Sequence, residues 1–152
     1  MFACTIQRTA GFVAVLLLAA CASTQQYTTR VSSPELAASG VLKPSAGKAK
    51  ICVLRGSSFV GGGIAIDIAD TGRPIGRIGS GGKVIWERDP GTVVVGASAS
   101  NESNITISAK AGEVYFIEAR TNWGAGFNTA ACEIRLMSTE EGTTMLQEFA
   151  AA

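Results

Sequence analysis

The sequence predicts an all-β fold, an antiparallel sandwich of about seven or eight short strands, with a short helix suggested at the C-terminal end. Three observations point there. Glycine is abundant at 18 residues while aromatic residues make up only 7% of the chain. Valine, isoleucine and threonine are gathered in short runs, several of which alternate with polar residues. Turn-forming residues separate these runs at regular intervals, the signature of a sandwich rather than of βαβ units. At 152 residues the chain suits one domain.

The strands read in order as KICVLR 50–55, IAIDIA 64–69, PIGRIG 74–79, KVIWER 83–88, TVVVGASAS 92–100, ITISA 105–109, VYFIEAR 114–120 and ACEIRLM 131–137. Asp70-Thr71-Gly72, Gly81-Gly82, Asp89-Pro90-Gly91 and Lys110-Ala111-Gly112 supply turns between them. Alternation assigns faces: Ile64, Ile66 and Ile68 oppose Ala65 and Asp67, Ile105 and Ile107 oppose Thr106 and Ser108, and Tyr115, Ile117 and Ala119 oppose Glu118 and Arg120. After the last strand, Ser138 can cap a helix over TEEGTTMLQEF, against which Gly142 argues.

The domain is expected over residues 49–152, and what precedes it has another character. The apolar run from Ala10 to Ala22 falls short of the ~20 residues that cross a bilayer but fits the core of an export signal, with Arg8 as its leading positive charge. It closes on Leu18-Ala19-Ala20-Cys21, which resembles the bacterial lipobox. Residues 1–20 are then a cleaved signal peptide, and Cys21 carries diacylglyceryl and N-acyl lipid, palmitate-type chains whose number makes attachment stable. Ala22, by resemblance to sorting rules in enteric bacteria, implies the outer membrane, with the domain facing the periplasm. Residues 21–48, rich in Ser, Thr, Gln, Ala and Pro, read as the lipidated N-terminus and a tether. Within the tether, Ser33-Pro34-Glu35-Leu36 has the form of a helix start ended by Gly40, or of an irregular turn.

The order of turn motifs carries a resemblance. Arg55, Ser57, Ser58, Phe59 and Gly61, then Ile75-Gly76, Gly81-Gly82 and Pro90-Gly91, and finally AGEVYFIEAR 111–120, resemble the small bacterial lipoproteins called domain of unknown function 2846, over about residues 48–140. The family is also similar to PEGA-type modules. That resemblance implies a transthyretin-like or carboxypeptidase-regulatory-like sandwich and no established activity. Cys52, Cys132 and the loop NWGAGFN depart from its pattern.

With Cys4 cleaved and Cys21 acylated, Cys52 in the first strand and Cys132 in the last remain. An even pair in an oxidising compartment invites a disulfide, worth ~4–5 kcal/mol in the chain-entropy model for a loop this long. Cys52 shares a face with Leu54, and Cys132 with Ile134 and Leu136, so both are expected to point inward. Two buried free thiols are the alternative.

Composition narrows the function. Thirteen basic and 12 acidic residues are interspersed, which excludes the basic stripe of a nucleic-acid partner. There is no histidine, which removes the commonest general base and most zinc sites. SSFVGGG lacks the lysine and Ser/Thr of a phosphate loop and reads as a wide hairpin connection. Asp67, Asp70 and Gly72 lack the spacing and closing glutamate of a calcium loop, so no metal is expected. Glu87 and Asp89 share a strand end without a recognisable cleft. Asn101 and Asn104 begin glycosylation sequons of little weight in a bacterial lipoprotein.

The loop TNWGAGFNTA, 121–130, is the most unusual segment. Trp123 and Phe127, joined by Phe59, either anchor a partner or fold back to plug the open end of the core, and plugging is the simpler reading. The sequence therefore predicts a non-enzymatic, membrane-anchored interaction or envelope-structural module without a cofactor beyond its lipid. An inhibitor or secretion-system accessory that binds an envelope protein is the second reading. A hydrolase acting through Asp67, Glu87 or Asp89 is the third and weakest.

Overall fold

A computed structural model describes residues 43–58, 62–123 and 130–151. The expected signal peptide, Cys21, Ala22 and the helix start at Ser33 lie outside those residues, as do Phe59, Phe127 and the side chain of Trp123. Among the described residues there are eight strands: β1 (Ala49–Leu54), β2 (Ile66–Asp70), β3 (Arg73–Ile78), β4 (Lys83–Arg88), β5 (Gly91–Ser98), β6 (Glu102–Ala109), β7 (Val114–Trp123) and β8 (Ala130–Met137). A helix, α1 (Thr139–Ala151), follows.

The strands form two four-stranded sheets, ordered β4-β1-β7-β8 and β3-β2-β5-β6. Their inner faces supply one core, with Ile51, Val53 and Ile117 from the first sheet against Ile68, Val93 and Val95 from the second. The all-β sandwich is thus as the alternation predicts. One pairing departs from the antiparallel expectation: β1 and β7 run parallel, Lys50 beside Val114 and Leu54 beside Glu118. Fifty-nine residues, 55–113, separate these strands in sequence, so no hairpin dictates their direction.

That parallel pair gives the molecule two unlike poles. β1 and β7 both end at one of them, where β3 and β5 also end and β2, β4, β6 and β8 begin. This is the loop pole. The opposite, turn pole receives the chain from residues 43–48 and carries the tight turns. One is the two-residue hairpin Thr71-Gly72, with φ of 50° and 79°. Both φ values are positive, as a hairpin turn matched to strand twist demands, and the Thr71 amide donates to Val94 O at 2.7 Å.

Side chains seal the sheet edges. Asp70 on β2 accepts from Trp86 Nε1 at 2.9 Å and Arg88 Nη1 at 2.6 Å on β4, tying the two sheets together. On the other side, the Cys132 amide donates to Asn101 Oδ1 at 2.5 Å and the Ile134 amide to Ser103 Oγ at 3.3 Å. Farther along, the Tyr115 hydroxyl accepts the Lys110 amide at 3.1 Å and donates to Ser108 O at 2.9 Å. The edge strand β3 carries Pro74 and faces a register shift at Ile68/Ala69. Both devices blunt an exposed edge.

β1 is buried on both faces. Ala49, Ile51 and Val53 enter the sandwich core, whereas Cys52 and Leu54 face the opposite way, into a second cluster with Phe116, Met137, Leu146 and Phe149. α1 roofs that cluster. Its Gly142, Met145, Leu146 and Phe149 recur at helical spacing on one side. A capping box starts it: the Glu141 amide donates to Ser138 Oγ at 3.2 Å, and the Ser138 amide to Glu141 Oε2 at 2.8 Å. Burying Leu146 and Phe149 contributes roughly 3–6 kcal/mol before the entropy of ordering the helix is counted.

This arrangement corrects the disulfide expectation. Cys52 and Cys132 are both buried and both free. They sit on opposite faces of one sheet, since Cys132 belongs to the sandwich core and Cys52 to the cluster under α1. β7 lies between β1 and β8, which sets them about 9.6 Å apart, beyond the ~7 Å Cα limit for a bridge. Along β7, Cys52 stands level with Phe116 and Cys132 with Thr121. Leu136 shares the face of Cys132 and Ile134 on the edge strand β8 but is 47% exposed there.

Candidate functional site

The loop pole is built around Arg55, the residue that follows β1. Its side chain is buried, 2% exposed, and turned into the protein. Nη1 donates to the carbonyls of Ile64 at 2.5 Å and Ile78 at 3.3 Å, and Nη2 to Thr121 Oγ1 at 3.3 Å. Burial pulls its pKa below the ordinary value. One guanidinium therefore ties the segment after β1, the end of β3 and the end of β7. Its planar fork of donors suits carbonyls arriving from separate directions.

The backbone continues the stitching. The Arg55 amide donates to Gly82 O at 3.0 Å, and the Gly81 amide to Gly56 O at 3.2 Å. Ser80 Oγ accepts the Ser58 amide at 2.8 Å and donates to Ser58 O at 3.1 Å. The glycine pair has a physical cause at each position. Gly81 takes a φ of 67°, and a side chain on Gly82 would meet Gly79 O at 3.0 Å. On the neighbouring strands, Asn101 Nδ2 donates to Cys132 O at 3.0 Å and Asn122 Nδ2 to Glu133 Oε2 at 2.8 Å.

These bases fix where SSFVGGG and TNWGAGFNTA leave the sandwich. The parallel β1/β7 pair brings their described flanks, Ser58 and Asn122, to the same pole. Whether Phe59, Trp123 and Phe127 meet there lies outside the described residues. Ser57, Ser58, Ser100, Asn101 and Asn122 are exposed at this pole, a surface of hydroxyl and amide groups around loop bases held in place. Arg55, Asn101 and Ser80 are the organising residues that alternation and turn chemistry do not reveal. A hint lies in the sequence: an arginine directly after an apolar strand, ahead of a glycine-rich loop.

The carboxylates considered for hydrolysis are not gathered. Asp67 accepts from Arg77 Nε at 2.5 Å and Nη2 at 2.8 Å on the neighbouring strand. Glu87 lies 3.2 Å from Lys50 and accepts the Ser45 amide at 3.1 Å, and Asp89 accepts from Lys48 at 2.7 Å. Hydrogen bonds from Arg77, Ser45 and Lys48 respectively, the largest cause in each case, hold all three below the ordinary carboxylate range. Low pKa values favour the charged form and oppose a general-acid role. Asn101, first residue of a sequon, is occupied as a structural clamp on β8.

One groove lies elsewhere, between α1 and the outer face of β7 and β8. It encloses about 430 Å³ above Met137 and Met145 and is rimmed by Glu118, Arg135, Glu140 and Glu148. Glu118 accepts from Arg120 Nε at 2.6 Å and Arg135 Nε at 2.8 Å, and Arg135 reaches on to Glu141 at 3.2 Å. Among the described residues, no group of three or more His, Cys, Asp or Glu side chains is placed to hold a metal ion. No described helix is long and apolar enough to cross a membrane.

The chain matches no family model, and neither a curated protein nor a solved structure matches it.

Proposed function

We propose that this chain is a lipoprotein of the domain of unknown function 2846 type, anchored through Cys21 to the outer membrane at its periplasmic face. In this reading it acts as a non-catalytic interaction or envelope-structural module. The observation that supports it is polarity: the chain enters the sandwich at the turn pole through residues 43–48, while β1 and β7 end together at the other. A domain tethered at its N-terminus would hold the turn pole toward the lipid and offer the loop pole outward. Strands of five to ten residues separate the two, about 17–33 Å by strand rise.

The stitched loop bases favour the more specific variant, in which the loop pole binds one envelope protein as an inhibitor or secretion-system accessory. Loops held on a rigid scaffold bind without a large ordering cost. The pairing of Asp67, Glu87 and Asp89 with basic partners supports the non-catalytic reading over a hydrolase.

Fractionation tests the anchor. The wild-type chain should sediment with outer membranes, and Cys21→Ser should release it into the soluble periplasmic fraction. Retention of Cys21→Ser in the membrane fraction would refute lipid anchoring.

A further inference from the structure

We infer that α1 is a strap that lifts as a unit while the sandwich beneath it stays folded. The packing is partitioned in a way that permits this. Among the described residues, the core between the two sheets contains no α1 residue, and α1 packs on the second cluster through Gly142 against Phe116, Leu146, Phe149 and the half-buried Met145. Removing those contacts leaves the inter-sheet core and its edge seals intact.

The strap is weak where the sandwich is strong. Gly142, Thr143 and Thr144 stand in succession, a stretch of poor helix formers. The groove of about 430 Å³ runs along one flank of α1, so Met145, packed on the second cluster on one side, borders open space on the other. The polar attachments concentrate in the first turn. Ser138 and Glu141 form the capping box, and Arg135 Nη1 reaches Glu141 Oε1 at 3.2 Å. Beyond that turn, the described residues hold the strap by apolar contact alone, through Gly142, Met145, Leu146 and Phe149. Elements with few buried contacts open locally, well before global unfolding.

Lifting uncovers Cys52, Leu54, Phe116 and Met137, an apolar seat on the flank of the sheet. α1 is therefore a built-in cover that keeps a second apolar surface out of water. Cys52, 0% exposed in the closed state, is the natural reporter of the open one.

The experiment is alkylation of the full chain by iodoacetamide, read peptide by peptide by mass spectrometry, beside tryptophan fluorescence as the probe of the sandwich. The inference predicts that Cys52 reacts at least ten times faster than the unfolding seen by fluorescence allows, with a weak dependence on urea. Ser138→Ala, which removes half of the capping box, should speed Cys52 alkylation about fivefold and leave the fluorescence midpoint in place. Coincident opening by both probes in the wild-type chain would overturn it, and that comparison decides even if Ser138→Ala does not fold. Fast Cys52 alkylation unchanged by Ser138→Ala would also overturn it, because the opening would then not be that of α1.

Discussion

Gly142 of α1 lies against the ring of Phe116 so closely that a side-chain carbon at position 142 would overlap the ring. The glycine that argues against a helix in the sequence is what allows this helix to dock. Gly142→Ala should therefore destabilise the protein by about 1–3 kcal/mol through overpacking, even though alanine is the better helix former by about 1 kcal/mol. Urea unfolding followed by far-UV circular dichroism checks it, and a gain in stability would contradict the close contact.

Asp70 is a polar link between the sheets at the turn pole, with its side chain 13% exposed and that of Arg88 22%. Asp70→Ala strands the Trp86 indole N–H and the Arg88 guanidinium together, and should cost about 2–3 kcal/mol. Trp86→Phe removes only one of these hydrogen bonds and should cost less, about 1 kcal/mol beyond the change in packing. Equal losses for the two variants would show that Asp70 contributes little beyond the indole.

Arg55 makes a prediction confined to one pole. Arg55→Met should accelerate amide exchange around Gly81, Gly82 and Thr121 while leaving Thr71 and Gly112 at the turn pole protected. Arg55→Lys should not restore protection, since a single ammonium lacks the fork that reaches Ile64, Ile78 and Thr121 together. Hydrogen exchange read by mass spectrometry distinguishes these outcomes from a uniform loss of stability.

Stability should fall at both ends of the pH scale, for different reasons. Asp67 is held below 3.8 first by its hydrogen bond from Arg77, and Glu141 below 4.5 first by the Ser138 amide. Their stabilisation is complete above those ordinary values and is lost as pH falls through the lower folded values. Burial drives the Cys52 thiol up from 9.0 to about 12. Its neutral form is favoured in the folded state, so stability should decline from pH 9 toward 12 by up to about 1.4 kcal/mol per pH unit. Cys52→Ala should flatten this alkaline limb, and thiol titration of the unfolded protein should find Cys52 and Cys132 both reduced.

Much of the fold is legible in the residues themselves. The runs around Ile66, Val93, Ile107 and Ile117 alternate, and turn residues bound them, so all eight described strands emerge with ends shifted by at most three residues. β1 shows where alternation runs out. Both of its faces are apolar, so the pattern cannot say that Ile51 faces the other sheet and Cys52 faces a helix not yet placed. The mistaken disulfide follows from that ambiguity. The parallel meeting of β1 with β7 and the seals made by Asp70, Asn101 and Tyr115 are long-range, set by tertiary packing and not by local spacing. The loop pole was visible only as two odd loops. Their common origin depends on the β1/β7 pairing, which no local pattern encodes.

The central claim, that the loop pole faces a partner while the turn pole faces the membrane, is tested most directly by photocrosslinking in living cells. A photoreactive amino acid is placed in turn at Ser58 and Asn122, and at Thr71 and Lys110. The account predicts one discrete protein adduct from Ser58 and Asn122, with none from Thr71 and Lys110. A discrete adduct from Thr71 or Lys110, with nothing at Ser58 or Asn122, would contradict it.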